Sequence, residues 1–130
     1  MKLSLLPGTF GICRLSPEQG LPAWALRKGS LVSVTMTPEE LSVVCLDSSI
    51  PSDIQCDRGW SALRVVGTLP LTMTSVLSSL VVPLAESDIA VFAISTYDTD
   101  YILVRKDKTL EVKTELERFG HQVCIHPNHP

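Results

Sequence analysis

In the second half of the chain, hydrophobic residues occur in two kinds of pattern: short continuous runs and a segment with helical spacing. Three short apolar runs rich in β-branched residues predict strands at residues 62–66, 89–94 and 101–104. Polar residues 95–100 predict a turn between the last two strands. Between the first two strands, apolar residues recur at the three- and four-residue spacing that gives a helix one apolar face. The residues of this face are Val76, Leu77, Leu80, Val81 and Leu84.

Local signals mark the ends of this helix. Thr72, Thr74 and Ser75 are candidate N-caps, because their hydroxyls can accept hydrogen bonds from the free N–H groups of a first helical turn. Pro83 lacks an N–H and should kink or end the helix. The sequence therefore predicts a helix that starts near residue 75 and is interrupted near residue 83.

A second helix and a closing strand follow. Asp107 or Thr109 can cap this helix, and Gly120 suits the left-handed residue just past its end. Residues 122–125 predict the last strand. The apolar face of the helix is formed by Val112, Leu116 and Phe119.

The resulting order, β-α-β-β-α-β, is that of the ferredoxin-like α+β folds. Both helices should cover one face of an antiparallel sheet, because each element must bury its apolar side. The first half is less regular, with strands predicted at residues 3–6, 10–15, 30–35 and 41–45. We interpret it as a degenerate, strand-rich copy of the same fold. The predicted organisation is a first lobe (1–59), a complete domain (60–125) and a flexible tail (126–130).

Composition narrows the function. The 130 residues are 45% hydrophobic, enough for a compact core, and carry a net charge of -3 without any extended basic cluster. Nucleic acid is therefore not an expected partner. The four cysteines are widely spaced, which favours reduced thiols over a disulfide framework. We also expect no signal peptide, no membrane span and a cytoplasmic location.

Catalysis and metal binding find little support. All three histidines lie in the last ten residues, so the body of the chain has no imidazole base. Cys124, His126 and His129 have suitable ligand atoms but sit in a proline-rich tail without a rigid frame. The sequence has no glycine-rich phosphate loop. We expect neither an enzyme nor a cofactor.

The class of function that remains is the binding of a small ligand. The start of the first helix, after the loop 71–76, could hold a carboxylate, because free N–H groups and the helix dipole favour an anion. The turn 96–100 contains Asp98 and Asp100, which could hold an ammonium or guanidinium group. Together, the anion site at the helix start and the cation site at the turn would fit a free amino acid. The alternative is that both aspartates only shape a tight turn through hydrogen bonds to the backbone.

Residues 60–123 resemble an ACT domain, the βαββαβ module that senses amino acids in metabolic regulation. The similarity is to aspartate kinase regulatory domains and cytosolic arginine sensors. It is carried by WSALRVVG (60–67), PLA (83–85) and ISTYDTDYILV (94–104). The first half resembles small bacterial tandem-ACT proteins through FGICRL (10–15), WAL (24–26) and SVTMTPEELSVVC (33–45).

This resemblance implies an effector site where two ACT units meet. Backbone groups of Thr74, Ser75 and Val76 would face the amino acid. The other wall would be formed by Thr96, Tyr97, Thr99 and Asp100, with Asp100 as partner of a cation, and completed by Ser33 and Val34 of the first lobe.

Two positions depart from the family pattern. Ser75 and Asp88 stand where glycine is common, although aspartate tolerates a left-handed helix end. A side chain at Ser75 limits how closely a ligand approaches the backbone. The leading hypothesis is a homodimeric amino-acid sensor that acts through a partner protein. The alternative is a structural or protein-interaction module that has lost its ligand site.

Overall fold

The computed structural model describes residues 1–67 and 75–125, so predictions for Thr72, Thr74 and the tail fall outside the described residues. Its strands are β1 (Lys2–Leu5), β2 (Phe10–Leu15), β3 (Ser33–Met36), β4 (Leu41–Leu46), β5 (Cys56–Val65), β6 (Val91–Ser95), β7 (Asp100–Arg105) and β8 (Gln122–Cys124). The helices are α1 (Val76–Glu86) and α2 (Thr109–Arg118). Short 3₁₀ segments cover Pro17–Gln19, Ala23–Ala25, Asp47–Ser49 and Lys106–Lys108.

Contacts divide the chain into two units. One unit combines Met1–Pro7 with Ser61–Pro130, and the other is Gly8–Trp60. The division at residues 59 and 60 stays a prediction, but the contacts differ from it in assigning the first seven residues to the larger unit. Below we call these units the helical unit and the strand unit.

The helical unit has the predicted β-α-β-β-α-β order, with one added strand. β6 pairs with β7, β7 with β5, β5 with β1, and β1 with β8. The pairing of β1 with β5 is antiparallel, whereas that of β1 with β8 is parallel, so the sheet differs from the predicted antiparallel one at this pair of strands. Leu3 occupies both registers, opposite Val65 and Val123, and its side chain is fully buried. Burial of this side chain helps to stabilise β1 in its position between β5 and β8.

The helices bury the predicted apolar faces against the sheet. Leu80 and Leu84 of α1 and Val112 and Leu116 of α2 are each 0% exposed and share one cluster with the sheet residues. Phe119 was predicted on the same face, but it is 53% exposed. The reason is that α2 ends at Arg118, and Phe119 forms its C-cap outside the helical spacing.

Pro83 does not end α1, which continues to Glu86. A proline at this position leaves the carbonyl four residues earlier, that of Ser79, without its helical N–H partner. His121 Nε2 lies 3.0 Å from that carbonyl oxygen and supplies a replacement donor. Beyond the helix, Asp88 has a φ of 59°, as expected of an aspartate in the left-handed region.

The start of α2 differs from prediction. Thr109 is its first helical residue rather than its N-cap, and its hydroxyl contacts the Lys106 carbonyl at 2.8 Å and the buried Ser61 hydroxyl at 3.0 Å. Gly120 follows α2 with a φ of 90°, as predicted. In the part of the chain that the structure describes, no helix has the length and apolar character needed to cross a bilayer.

The strand unit contains β2, β3, β4 and the first half of β5. β2 pairs antiparallel with both β4 and β5, and β3 pairs antiparallel with β4. The strand-rich character predicted for this half is thus observed. Its core consists of Cys13, Leu15, Ala25, Leu41, Val43, Cys45 and Ile50.

Candidate ligand site at the β6–β7 turn

The turn between β6 and β7 brings four of the predicted site residues together. Thr96 and Thr99 close it, since the Thr96 N–H donates to the Thr99 carbonyl at 2.9 Å. The Thr96 hydroxyl reinforces the closure through hydrogen bonds to the Thr99 carbonyl and from the Thr99 N–H. Tyr97 lies at the tip and is 79% exposed, so its ring makes little contribution to packing.

A buried hydrogen bond fastens this turn to β5. The Thr99 hydroxyl donates to the Val65 carbonyl at 2.8 Å, and the Thr99 side chain is 5% exposed. Val65 ends β5, from which the chain continues towards Ser75 and α1. The turn is therefore fixed to the end of the strand that leads to the other predicted wall of the site.

Asp100 carries the carboxylate for which the sequence predicts cation binding. It lies opposite Ser95 in the β6–β7 register, and the Ser95 hydroxyl donates to Asp100 Oδ1 at 2.7 Å. This bond orients the carboxylate at the surface, where Asp100 is half-buried. The role of Ser95 could not be predicted from the sequence, because only the register of the hairpin places its hydroxyl beside Asp100.

Ser75 and Val76 lie at the start of α1. Ser75 occupies the N-cap position, but its side chain makes no capping hydrogen bond, so the predicted capping role of its hydroxyl was wrong. Its carbonyl instead accepts from the Ser79 N–H at 3.0 Å and the Ser78 hydroxyl at 3.1 Å. Ser75 is exposed and Val76 is 6% exposed, which leaves Ser75 as the accessible residue of the pair. Thr74, the third residue predicted here, lies outside the described residues.

Ser33 and Val34 belong to the strand unit. They open β3, where Ser33 pairs with Val44 and Val34 with Val43. Both are half-buried, and Val34 packs against the core of that unit. No group of three or more histidine, cysteine or acidic side chains in residues 1–67 and 75–125 is arranged to hold a metal ion.

Comparison with known families identifies the fold. Residues 55–118 match the ACT domain family, and residues 8–53 match a separate family of N-terminal domains. The chain therefore contains an ACT domain, and ACT domains are regulatory modules. The predicted α+β, ferredoxin-like fold class is thereby confirmed.

Individual relatives extend this result. A solved structure of an Agobacterium tumefaciens protein is 38% identical, with a TM-score of 0.92 over 99% of this chain and 96% of that protein. The ligand-free regulatory subunit of aspartate kinase from Thermus thermophilus has a TM-score of 0.62 at 8% identity, covering 91% of this chain and 97% of that one, and shows the fold alone. The human protein CASTOR3P is 37% identical over 87 residues, which are 57% of this chain and 53% of that protein. The chain thus spans about half the length of this human relative.

Proposed function

We propose that the chain is a non-catalytic regulatory module whose effector is a free amino acid, bound where two ACT units meet. The observation that supports it best is the buried hydrogen bond from Thr99 to Val65. This bond holds the turn with the exposed Thr96 and Tyr97 and the half-buried Asp100 at the end of the strand that leads into α1. The ACT domain at residues 55–118 supports the same function, because ACT domains are regulatory modules.

In this proposal the turn and the helix recognise opposite charges. Asp100, oriented by Ser95, pairs with the ammonium group or a cationic side chain of the effector. The effector carboxylate binds at the start of α1, near Thr74, Ser75 and Val76. The first turn of α1 carries no acidic residue that would repel it, and the helix dipole favours an anion there.

The remaining predicted residues take supporting roles. The Thr99 hydroxyl is committed to Val65, so Thr99 acts by holding the turn, whereas Thr96 and Tyr97 contact the effector. Ser33 and Val34 of a second ACT-like lobe complete the pocket. We further propose a cytoplasmic homodimer, in which effector binding favours one of two conformations and a partner protein responds.

The test is thermal denaturation with each of the twenty amino acids. A ligand that binds only the native state adds about 2.7 kcal/mol of unfolding free energy at roughly 100 times its Kd. We expect a selective rise in Tm with one amino acid or a small group of related ones, and loss of that rise in Asp100→Asn.

Asp98→Asn is the matched control, because Asp98 is an exposed carboxylate in the same turn that Ser95 does not orient. It should keep most of the ligand-induced rise in Tm. A flat response of the unmutated protein to all twenty amino acids would contradict the proposal. That result would favour the alternative, a protein-interaction module without a small-molecule site.

A further inference from the structure

Three of the four cysteines lie together in the strand unit, although they are 11 or more positions apart in sequence. Cys13 lies on β2, Cys45 on β4, and Cys56 begins β5. All three are free thiols. Cys13 and Cys45 are each 1% exposed, whereas Cys56 is half-buried. The cluster therefore has two inaccessible thiols and one accessible thiol.

Cys13 and Cys56 face each other across an antiparallel pair of strands. The next pair along, Arg14 and Gln55, shares a backbone hydrogen bond from the Arg14 N–H to the Gln55 carbonyl at 3.1 Å. Because the two kinds of pair alternate, Cys13 and Cys56 form a non-hydrogen-bonded pair, whose Cα atoms lie about 4.5 Å apart. Disulfides require Cα separations of about 4.4–6.8 Å. The backbone is thus already in position for a bond between these two sulfurs.

The pairing of β2 with β4 and with β5 places the other two combinations of cysteines farther apart. Cys45 lies opposite Gly11, two residues from the position opposite Cys13, and such diagonal neighbours have Cα atoms about 7–8 Å apart. Cys45 and Cys56 are on strands with β2 between them, about 10 Å apart at the usual strand spacing. Both separations exceed the range that a disulfide spans without backbone movement.

The absence of a Cβ atom on Gly11 leaves space for neighbouring side chains, among them Cys56. A Cβ atom on Gly11 would lie 2.9 Å from Cys56 Sγ, which shows that this sulfur leans over the glycine. Because Cys13 lies directly opposite Cys56, rotation about χ1 of Cys56 would turn its sulfur towards Cys13. The step therefore needs a side-chain movement rather than a change of register.

Cys56 is also the thiol that a reagent can reach. It lines an open groove of about 450 Å³ together with Ile12, Arg14, Gln55, Asp57 and Arg58. Burial raises the pKa of Cys13 to about 12 and that of Cys45 to about 11, so both stay protonated at neutral pH. Cys56 should react first because it is the accessible thiol of the cluster, and Cys13 should react more slowly because it is buried.

We propose that Cys13 and Cys56 form a reversible disulfide when the protein meets a low-molecular-weight disulfide such as glutathione disulfide. The Cys56 thiolate attacks one sulfur of the oxidant, which forms a mixed disulfide and releases one glutathione thiolate. Cys13 then attacks the Cys56 sulfur, which expels the second glutathione thiolate, and the proton of Cys13 passes to that departing thiolate. The two cysteines are oxidised, and one glutathione disulfide is reduced to two glutathione molecules.

The experiment is a peptide map of the folded, unmutated protein after treatment with glutathione disulfide. Free thiols are blocked with N-ethylmaleimide before digestion with trypsin and an endoproteinase that cleaves before aspartate. This digestion places Cys13 in residues 3–14, Cys45 in 29–46 and Cys56 in 53–56. We expect a disulfide-linked pair of 3–14 with 53–56, preceded in time by glutathione on 53–56. Dithiothreitol should release both peptides.

Other products overturn the proposal. These are a link that contains residues 29–46, a stable mixed disulfide on Cys56 that never resolves, or alkylation of both Cys13 and Cys56 after prolonged oxidation. Cys124→Ser removes the half-buried thiol of the other unit and should leave the link unchanged. Cys56→Ser should leave Cys13 reduced, and if this variant does not fold, the map of the unmutated protein decides the question alone.

Discussion

Replacement of Thr99 by valine tests whether the buried hydrogen bond holds the β6–β7 turn. Valine keeps the branched shape of threonine but removes the hydroxyl that donates to the Val65 carbonyl. The neighbouring Val66 N–H donates to the Lys2 carbonyl. In an antiparallel ladder the next carbonyl therefore points away from β1, so β1 cannot supply a new donor for Val65.

The expected cost follows from this environment. Removing the donor of a hydrogen bond to a buried carbonyl destabilises the folded state by about 1–3 kcal/mol. With an unfolding entropy of roughly 2.1 cal/mol/K per residue, 1 kcal/mol corresponds to about 4 °C for a chain of this length. We therefore expect Thr99→Val to lower Tm by roughly 4–11 °C.

The measurement compares Thr99→Val with Thr96→Val by thermal and urea unfolding. Thr96 makes two hydrogen bonds in the same turn, but its side chain is exposed and water can replace them. Its replacement should change the unfolding free energy by only about 0.5 kcal/mol. Equal losses in the two variants, or no loss in Thr99→Val, would refute the argument that burial of this bond holds the turn.

Three further experiments test the packing of the two cores and the ionisation of a buried thiol. Leu116→Ala should lower the free energy of unfolding by about 2–5 kcal/mol, because it leaves a cavity in the helical unit. Leu110 is 74% exposed, so Leu110→Ala should lower it by less than about 0.5 kcal/mol. Urea denaturation of the two variants measures the difference. Gly11→Ala should cost about 1–3 kcal/mol by overpacking, because its Cβ would lie 2.6 Å from Ile50 Cδ1, and an unchanged urea midpoint would contradict this. The folded-state pKa of Cys13, about 12, exceeds its ordinary value of 9.0 because of burial. Its contribution to stability is thus complete below about pH 9 and is lost as pH rises towards 12, so urea midpoints should fall above about pH 9, and less steeply in Cys13→Val.

The elements that the sequence determined are those with local causes. The spacing of Leu80 and Leu84, and of Val112 and Leu116, defined the buried faces of both helices, since helical neighbours lie three and four positions apart. The left-handed conformations of Asp88 and Gly120 also followed from residue type. The same local reasoning failed at Phe119, because hydrophobic spacing does not show where the last helical turn stops.

Only the tertiary structure decided which distant segments meet. The sequence predicts a strand near Leu3 but does not show that it lies between β5 and β8, parallel to the latter. Likewise the hydrogen bond from Thr99 to Val65 joins residues 34 positions apart, and the opposition of Cys13 and Cys56 depends on the β2–β5 register. Strand pairing and register are set by the burial of whole faces against a shared core, because a shift of one residue would turn every apolar side chain towards the opposite face. That constraint depends on many residues at once, so strand pairing cannot be predicted from any short segment of the chain.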